Sequence, residues 1–486
     1  MIAKNTAAIA VAEVIALFMT FLFSAVFARY LGVQNYGIYT FAAAFVALFK
    51  VFSDLGLNTL LIREISRYRE RTSYFFGNAL GIEVSLSWTF TLLAVALVYL
   101  LGYELEIIVL VLLFAVMQSI DTIGWINLST FNAYERREYE GLIKVAGKFT
   151  FITAGLMGVF LQLPLVEIVV LFVIASALQL VFNYIVLIKK VVRPKISITV
   201  SAWPSLLKVS LPFALTALFF DLYFNIDMIM LSYISGNEAV GWYSVAFRTF
   251  NLFSIIPVAL TGSIWPLFSR MHLESSENLT RAFSKSVEYL LLLAIPASIG
   301  TMLVSELLLP LVFGNEYANS VIALQILITS LIFLFVNYIS MFTLGAINKP
   351  HLGAISLLIG LIANISLNLI LIPNYGYNGA AFALVLSEIV LFIQYHHHLS
   401  KNGVNVSIPR LAIKPLMAGI GMGGVIFLIK GSLSAIPSTE QLLVIIPIAC
   451  GAYFLGLIMF KAFNEEDISI FNEITGQIQD RILRRE

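Results

Sequence analysis

Charge is scarce in this chain of 486 residues: Asp, Glu, Lys and Arg together make up 12% of it, about half the share found in soluble domains. That shortage excludes water as the solvent for most of the chain. A single cysteine, Cys450, excludes a disulfide framework and a cysteine metal site. The five histidines offer no metal site either, because His396, His397 and His398 are adjacent and point in different directions from a helix. They read as a solvated helix end. A net charge of +1 excludes bulk attraction to nucleic acid. Long loops are missing as well, with outer segments under about ten residues by the span assignment below. A membrane enzyme that polymerises or transfers glycans needs a larger outer loop for its catalytic groups, so the chain is read as a non-enzyme.

What is present is apolar sequence, 60% of the chain. Leu92–Leu101, Ile107–Met117 and Ile168–Ile174 are apolar on every helical face, which lipid rewards and water does not. Hydropathy and punctuation predict spans near 7–28, 37–53, 77–101, 105–128, 142–163, 166–188, 206–233, 240–268, 287–312, 320–346, 353–372, 379–397, 411–430 and 440–461. The first run continues past Phe27 without a small-residue cleavage site and reads as a retained span. With the N-terminus inside, 25 of the 29 Lys and Arg residues fall in inner loops and span ends, including Arg136, Arg137, Lys144 and Lys148. A miscounted span near the middle would destroy that partition, so fourteen spans with both termini cytoplasmic is the expected topology of a multi-pass cell-membrane protein. After Lys461, Ile468, Phe471, Ile474, Ile478 and Ile482 recur at helical spacing, which predicts an amphipathic tail helix on the inner membrane surface or on a partner.

Leu31-Gly32-Val33-Gln34-Asn35-Tyr36-Gly37-Ile38-Tyr39 aligns without a gap to Ser235-Gly236-Asn237-Glu238-Ala239-Val240-Gly241-Trp242-Tyr243. Both carry Gly-x4-Gly-x-Tyr, and both fall in the outer loop after the first span of a six-span block. The expected fold is all-α: two pseudo-symmetric six-helix lobes at 1–195 and 196–400, two further helices at 401–462, and the tail at 463–486. Blocks of six spans enter the membrane from one side, so they form parallel repeats with a substrate site between them.

An ionisable side chain in hydrocarbon costs about 2.5–3.5 kcal/mol by insertion scales, so it normally faces a cavity or a partner. The candidates are Glu13, Lys50, Asp54, Glu83, Asp121, Asp221, Asp227, Arg248 and Glu388. Arg248 lies too deep in its span to snorkel, and the repeat offset sets it opposite Ala44. It is either an anion anchor in a central cavity or the partner of Asp227 or Asp221 in an ion pair. Asp221 and Asp227 are about 120° apart around their helix and cannot share one partner squarely. Glu13 and Asp121 are candidates for coupling to a proton or sodium gradient, and no bound cofactor is expected. Lys50, Asp54 and Arg29 lie near span ends. Asn364 and Asn368, one turn apart, read as a link between helices.

Ala28-Arg29-Tyr30-Leu31-Gly32, Tyr36-Gly37-Ile38-Tyr39 and Asp54-Leu55-Gly56-Leu57 resemble the start of the Wzx-type polysaccharide flippases. Leu211-Pro212, Val240-Gly241-Trp242-Tyr243 and Leu311-Val312-Phe313-Gly314-Asn315-Glu316-Tyr317 extend the resemblance over about residues 5 to 400. It implies a fourteen-span, two-lobed fold that moves a lipid-linked oligosaccharide between leaflets by alternating access. The substrate of such proteins is an isoprenoid lipid bearing phosphate or pyrophosphate and a glycan, with the bilayer and glycan-assembly proteins as partners. A cavity cation answers that phosphate, which fits Arg248 and Arg29. Family cavities are lined chiefly by the first two spans of each lobe, where Glu13, Lys50, Asp221 and Arg248 fall. The same superfamily contains multidrug exporters, for which the acids Glu13, Asp221 and Asp227 would carry a cation-coupled exchange.

Overall fold

The protein is described by a computed structural model covering residues 2–433 and 436–463, with side chains described for all of these except 2–15, 51, 137, 212, 213, 215–217 and 263. The predicted tail helix and the side chain of Glu13 therefore lie outside the described residues. The elements in order are α1 (Ile2–Asp54), α2 (Leu57–Arg67), α3 (Thr72–Leu100), α4 (Leu105–Ala133), α5 (Arg137–Phe160), α6 (Leu165–Lys190), α7 (Trp203–Ser235), α8 (Asn237–Leu252), α9 (Ile255–Glu274), α10 (Ser276–Phe313), α11 (Ser320–Thr329), α12 (Leu331–Ala346), α13 (Pro350–Lys401), α14 (Ile408–Ser432) and α15 (Ser438–Met459). No strand occurs among the described residues.

Eleven of these helical stretches are long and apolar enough to cross a bilayer, or twelve if α11 and α12, bent by 47°, count as one span. Two of them are not single rods. Gly32 interrupts α1 with φ 70° and ψ 173°, and Gly376 interrupts α13 with φ 55°. Each glycine holds a positive φ that an L side chain adopts at a cost, so the chain turns at the membrane edge without a loop. The expected loops at 29–36 and 373–378 are therefore turns within continuous helices.

The bundle is apolar outside as well as in its core, and it buries a smaller set of polar side chains within that core. Leu92, Leu100, Phe160, Ile420, Phe427 and Leu428 stand exposed, whereas Asn78, Glu83, Asn127, Asp227, Asn364 and Glu388 are buried. Lipid solvates the first set. The second must find partners within the bundle.

At the upper end, defined by Gly32 and Gly236, the two copies of the repeated motif meet face to face. Gly236 carries φ 85° and ψ 172°, nearly the geometry of Gly32. A Cβ on Gly37 would overlap the backbone carbonyl of Asn237, and one on Gly241 would overlap the carbonyl of Val33. The contact is reciprocal, since Gly37 and Gly241, like Val33 and Asn237, stand 204 positions apart. Two helices approach backbone to backbone only because neither glycine has a side chain. Around this seam Tyr317 donates to the carbonyl of Ala28 at 2.9 Å, and the Trp242 indole donates to the carbonyl of Glu316 at 3.2 Å.

At the lower end the linker between α6 and α7 lies along α3. Asn78 Oδ1 accepts from the Thr199 amide at 2.7 Å and from the Trp203 indole at 3.2 Å, and its Nδ2 donates to the Ser197 carbonyl at 3.3 Å. Trp203, Leu206 and Leu207 pack on Leu57, Leu60 and Ile82, which joins the start of α7 to α2 and α3.

A methyl group at the seam overpacks it by about 1–3 kcal/mol. Gly37→Ala and Gly241→Ala are each expected to shift the upper end toward an open state. Spin labels at Gln34 and Glu238, both exposed, in a Cys450→Ser background should report longer distances in both variants. Gly424→Ala, at a site with nothing within 4 Å, should leave the distribution unchanged. Identical distributions in all three would mean that the seam does not hold the upper end shut.

Candidate functional site: a column of cations inside the bundle

Charged side chains from five helices converge below the seam. Arg248 lies eleven residues into α8, about 17 Å beneath its start at 1.5 Å per residue. Lys148 lies eleven residues into α5, about 17 Å above the opposite end. Both therefore sit near the middle of a hydrocarbon layer about 30 Å thick. Lys148 is within electrostatic reach of Arg248 on one side and Asp121 of α4 on the other. Lys50 of α1 acts on Asp121 and on Asp221 of α7.

Trp125, one turn beyond Asp121 on α4, has Lys50 Nζ at 5.8 Å from its ring centroid and Lys144 Nζ also at 5.8 Å. Both distances fall within cation–π range. Lys144 further pairs with Glu140 at 2.8 Å. The result is a column of four cations, Arg248, Lys148, Lys50 and Lys144, descending from mid-depth toward the lower end. Asp121, Asp221 and Glu140 are the carboxylates set among them.

Beside the column, α1, α4, α5 and α6 enclose a cavity of about 580 Å³. Asp121, Lys144, Lys148, Ser176, Gln179 and Asn183 supply its polar lining. The wall is mainly apolar, from Leu17, Met117, Ile120 and Phe151 among others, with two lysines, one carboxylate, amides and hydroxyls set in it, which suits a guest with both an apolar and a charged part.

Arg248 has no carboxylate within ion-pair distance among the described residues. Its guanidinium carbon lies 5.7 Å from the ring centroid of Tyr36, and its Nε is buried without a hydrogen-bond partner. The ion pair with Asp227 that the sequence left open does not form. Asp227 accepts from Tyr243 at 2.7 Å and from Asn368 at 2.6 Å, and Asn368 donates also to Asn364 at 2.9 Å. Asp227 is thus consumed by a neutral network joining α7, α8 and α13, in which Asn364 and Asn368 link helices as expected. The repeat tyrosine Tyr243 is one of its donors.

Arg29 is also placed apart from the column. Its Nε donates to the Val312 carbonyl at 2.9 Å and its Nη2 to the Leu311 carbonyl, at the end of α10. A guanidinium satisfies helix-terminal carbonyls and the negative end of the helix dipole. Its role in this structure is to tie α1 to α10 at the upper end. Glu388, a second deeply buried acid, is held by Tyr223 at 2.9 Å and Asn337 at 2.8 Å.

Lys50, Asp121, Asp221 and Arg248 are therefore brought together, while Arg29 and Asp227 are not. Lys144 and Lys148 were counted among the inner basic residues, yet both are part of the column. Their positions inside the predicted span 142–163 were the available signal, because a lysine several residues into a span demands a partner.

Fold and site together define a polytopic α-helical membrane protein that keeps its charge inside the bundle. The chain belongs to the polysaccharide biosynthesis protein family, whose model matches residues 2–272, while a MatE family model matches residues 212–370. It is 30% identical over 175 residues to the probable low-salt glycan biosynthesis flippase Agl15 of Haloferax volcanii, an alignment covering 36% of this chain and 37% of that protein. It is 25% identical to the lipopolysaccharide biosynthesis protein WzxC of Escherichia coli over 329 residues, or 65% of this chain and 64% of the relative. The chain spans between about a third and two thirds of the length of these relatives. Among solved structures, the lipid II flippase MurJ in an inward closed conformation superposes with a TM-score of 0.78 at 18% identity, covering 93% of this chain and 99% of that one. An inward-facing multidrug resistance MATE family transporter superposes at 0.69 and 15% identity, covering 81% and 95%. These likenesses establish the fold.

Removing the Tyr243 hydroxyl leaves the buried Asp227 short of a donor, a loss of about 1–3 kcal/mol. Tyr243→Phe is expected to lower the melting temperature of the purified protein by several degrees. Tyr39→Phe, at the matching repeat position but without such a bond among the described residues, should lower it less. Equal effects would remove Asp227 as the reason for the tyrosine.

Proposed function

We propose that this protein is a flippase for a lipid-linked oligosaccharide, carrying a polyprenyl phosphate or pyrophosphate glycan from the inner to the outer leaflet of the cell membrane by alternating access. The observation that carries the reading is the column of four cations set around three carboxylates inside a membrane bundle. Each such charge is costly unless a cavity, a partner or a ligand answers it. A guanidinium near mid-depth, free of any carboxylate, suits a phosphate, which it binds bidentately while remaining charged.

In this reading α1 and α13 each contribute two spans, split at Gly32 and Gly376, and fourteen spans result. Residues 1–195 and 196–400 are two lobes, 401–462 two added spans, and 463–486 a cytoplasmic tail. The reciprocal contact of Gly37 and Gly241 supports the lobes as related halves meeting at the outer side. The headgroup enters from the lower, cytoplasmic end with its tail in lipid. Its phosphate passes from Lys144 and Lys50 to Lys148 and Arg248, and the lobes then rock to part the seam. No covalent bond is made or broken. Asp121 and Asp221 are the acids best placed for coupling to a proton or sodium gradient, because their ionisation changes the charge of the column. The likeness to the probable glycan biosynthesis flippase Agl15 supports this reading.

The MatE match supports a second reading, cation-coupled export of a drug or metabolite. The excess of cations in the column favours an anionic guest over a cationic one.

Arg248→Ala is expected to reduce glycan export at least about tenfold in a complementation assay, the loss of roughly one charged hydrogen bond. Arg248→Lys should retain an intermediate level, since a point charge lacks the planar fork. Full export by the Ala variant would exclude Arg248 from the mechanism. Gradient-driven drug efflux in vesicles without binding of polyprenyl phosphates would favour the second reading.

A further inference from the structure

Charge also gathers at a place the transport reading does not use. At the lower end a cavity of about 660 Å³ opens between the first turns of α10, the start of α14 and the chain just after α15. Arg281 and Lys285 line it from α10, and Arg410 and Lys414 line it from α14. Each pair is spaced by four residues, so both members share one helical face. Four cations from two helices therefore point at a common space.

Two acids, Glu277 and Glu288 of α10, line the same cavity. Glu277 stands 3.9 Å from Arg281, and Glu288 stands 3.1 Å from Lys285. Neither Arg410 nor Lys414 has a carboxylate within ion-pair distance among the described residues; Lys414 Nζ donates to the Lys461 carbonyl at 2.7 Å. Thr280, Ser284 and Ser407 add hydroxyls to the same wall.

The cavity also has a direction. Leu292, seven residues or about 10 Å beyond Lys285 along α10, gives it an apolar wall farther into the helix, and Leu411 and Pro415 add apolar lining beside Arg410 and Lys414. Cations with apolar side chains beside and beyond them match a phospholipid, whose phosphate lies at the interface and whose chains run inward. Free phosphate would have no use for the apolar wall.

We propose that this cavity seats the phosphate of an anionic phospholipid from the leaflet at the lower end, with Arg410 and Lys414 as its principal ligands. The guanidinium of Arg410 binds the phosphate in the bidentate manner, and Lys414 adds a point charge. The bound lipid bridges α10 and α14, where the last two helices attach to the rest of the bundle. This assignment does not depend on what the central column carries.

The test is lipid binding by the purified full chain, titrated with phosphatidylglycerol in mixed micelles against a phosphatidylcholine background and read by native mass spectrometry. Arg410→Ala is expected to weaken binding about fivefold, and Arg410→Ala with Lys414→Ala more than tenfold, at the usual contribution of a basic residue near an anionic surface. Arg410→Lys should retain most of the affinity, and Arg193→Ala with Lys195→Ala, exposed bases on the linker at the same end, should change nothing. Melting in phosphatidylcholine alone verifies that each variant is folded, and the single Arg410→Ala variant leaves the Lys414 to Lys461 bond in place. Equal affinity across all variants would overturn the proposal. So would competition by inorganic phosphate at matching strength, which would mark a soluble-anion site, or binding of polyprenyl phosphate without phosphatidylglycerol, which would mark a loading site for substrate.

Discussion

Everything in this bundle answers to the cost of placing charge and polar backbone where there is no water. Helices meet the backbone part of that cost internally. The side chains meet it in two ways. Asp227 and Glu388 are enclosed by tyrosine and asparagine donors, and these networks fasten α7, α8, α12 and α13 to one another. Arg248, Lys148, Lys50 and Lys144 are not enclosed in that way; they face one another, the Trp125 and Tyr36 rings and the carboxylates Asp121, Asp221 and Glu140. The first arrangement builds a rigid unit. The second leaves a field looking for an anion.

The glycine seam gives that field its direction of access. While Gly37 and Gly241 hold the upper end backbone to backbone, the column communicates with the lower end, where Lys144 and the linker lie. The two copies of the motif have kept the same break and the same contact but have diverged inside. Arg248 occupies the position matched by Ala44, which is buried in apolar surroundings. Under the proposed function, the two copies of the motif would supply a symmetric contact and an asymmetric lining, as a carrier of a polar headgroup requires.

Much of this was legible before any coordinates. Spans are long apolar runs, and their order follows from hydropathy because lipid imposes that pattern directly, whereas the expected fourteen stand against eleven or twelve long apolar helices among the described residues. The repeat was visible because a backbone contact needs glycine at fixed places. Depth in a span singled out Arg248, Asp121 and Asp221, and the resemblance added Lys50 near a span end. What could not be read was pairing across helices. Arg29 sits just before the Gly32 break in α1, at the end of a predicted span, and only the arrival of α10 shows that its partners are carbonyls. Asp227 looked available to Arg248 because both are charged and near in sequence, yet Tyr243 and Asn368 reach it first. Lys144 and Lys148 were hidden by their agreement with the inner charge bias, which explains a lysine at a helix end equally well whether or not it turns inward. The kinked pair of α11 and α12 and the separate α8 and α9 escaped for a similar reason, since hydropathy does not register a bend.

The account stands on the claim that the column carries a phosphorylated lipid headgroup across the membrane. Purified protein reconstituted into vesicles, with a fluorescent polyprenyl pyrophosphate glycan confined to one leaflet and its arrival in the other followed by a membrane-impermeant quencher, tests that claim directly. The account predicts transfer well above that of protein-free vesicles, and slower transfer when the neutral variant Lys148→Gln replaces the wild type. Transfer no faster than in protein-free vesicles, under conditions where the protein is folded, would contradict it.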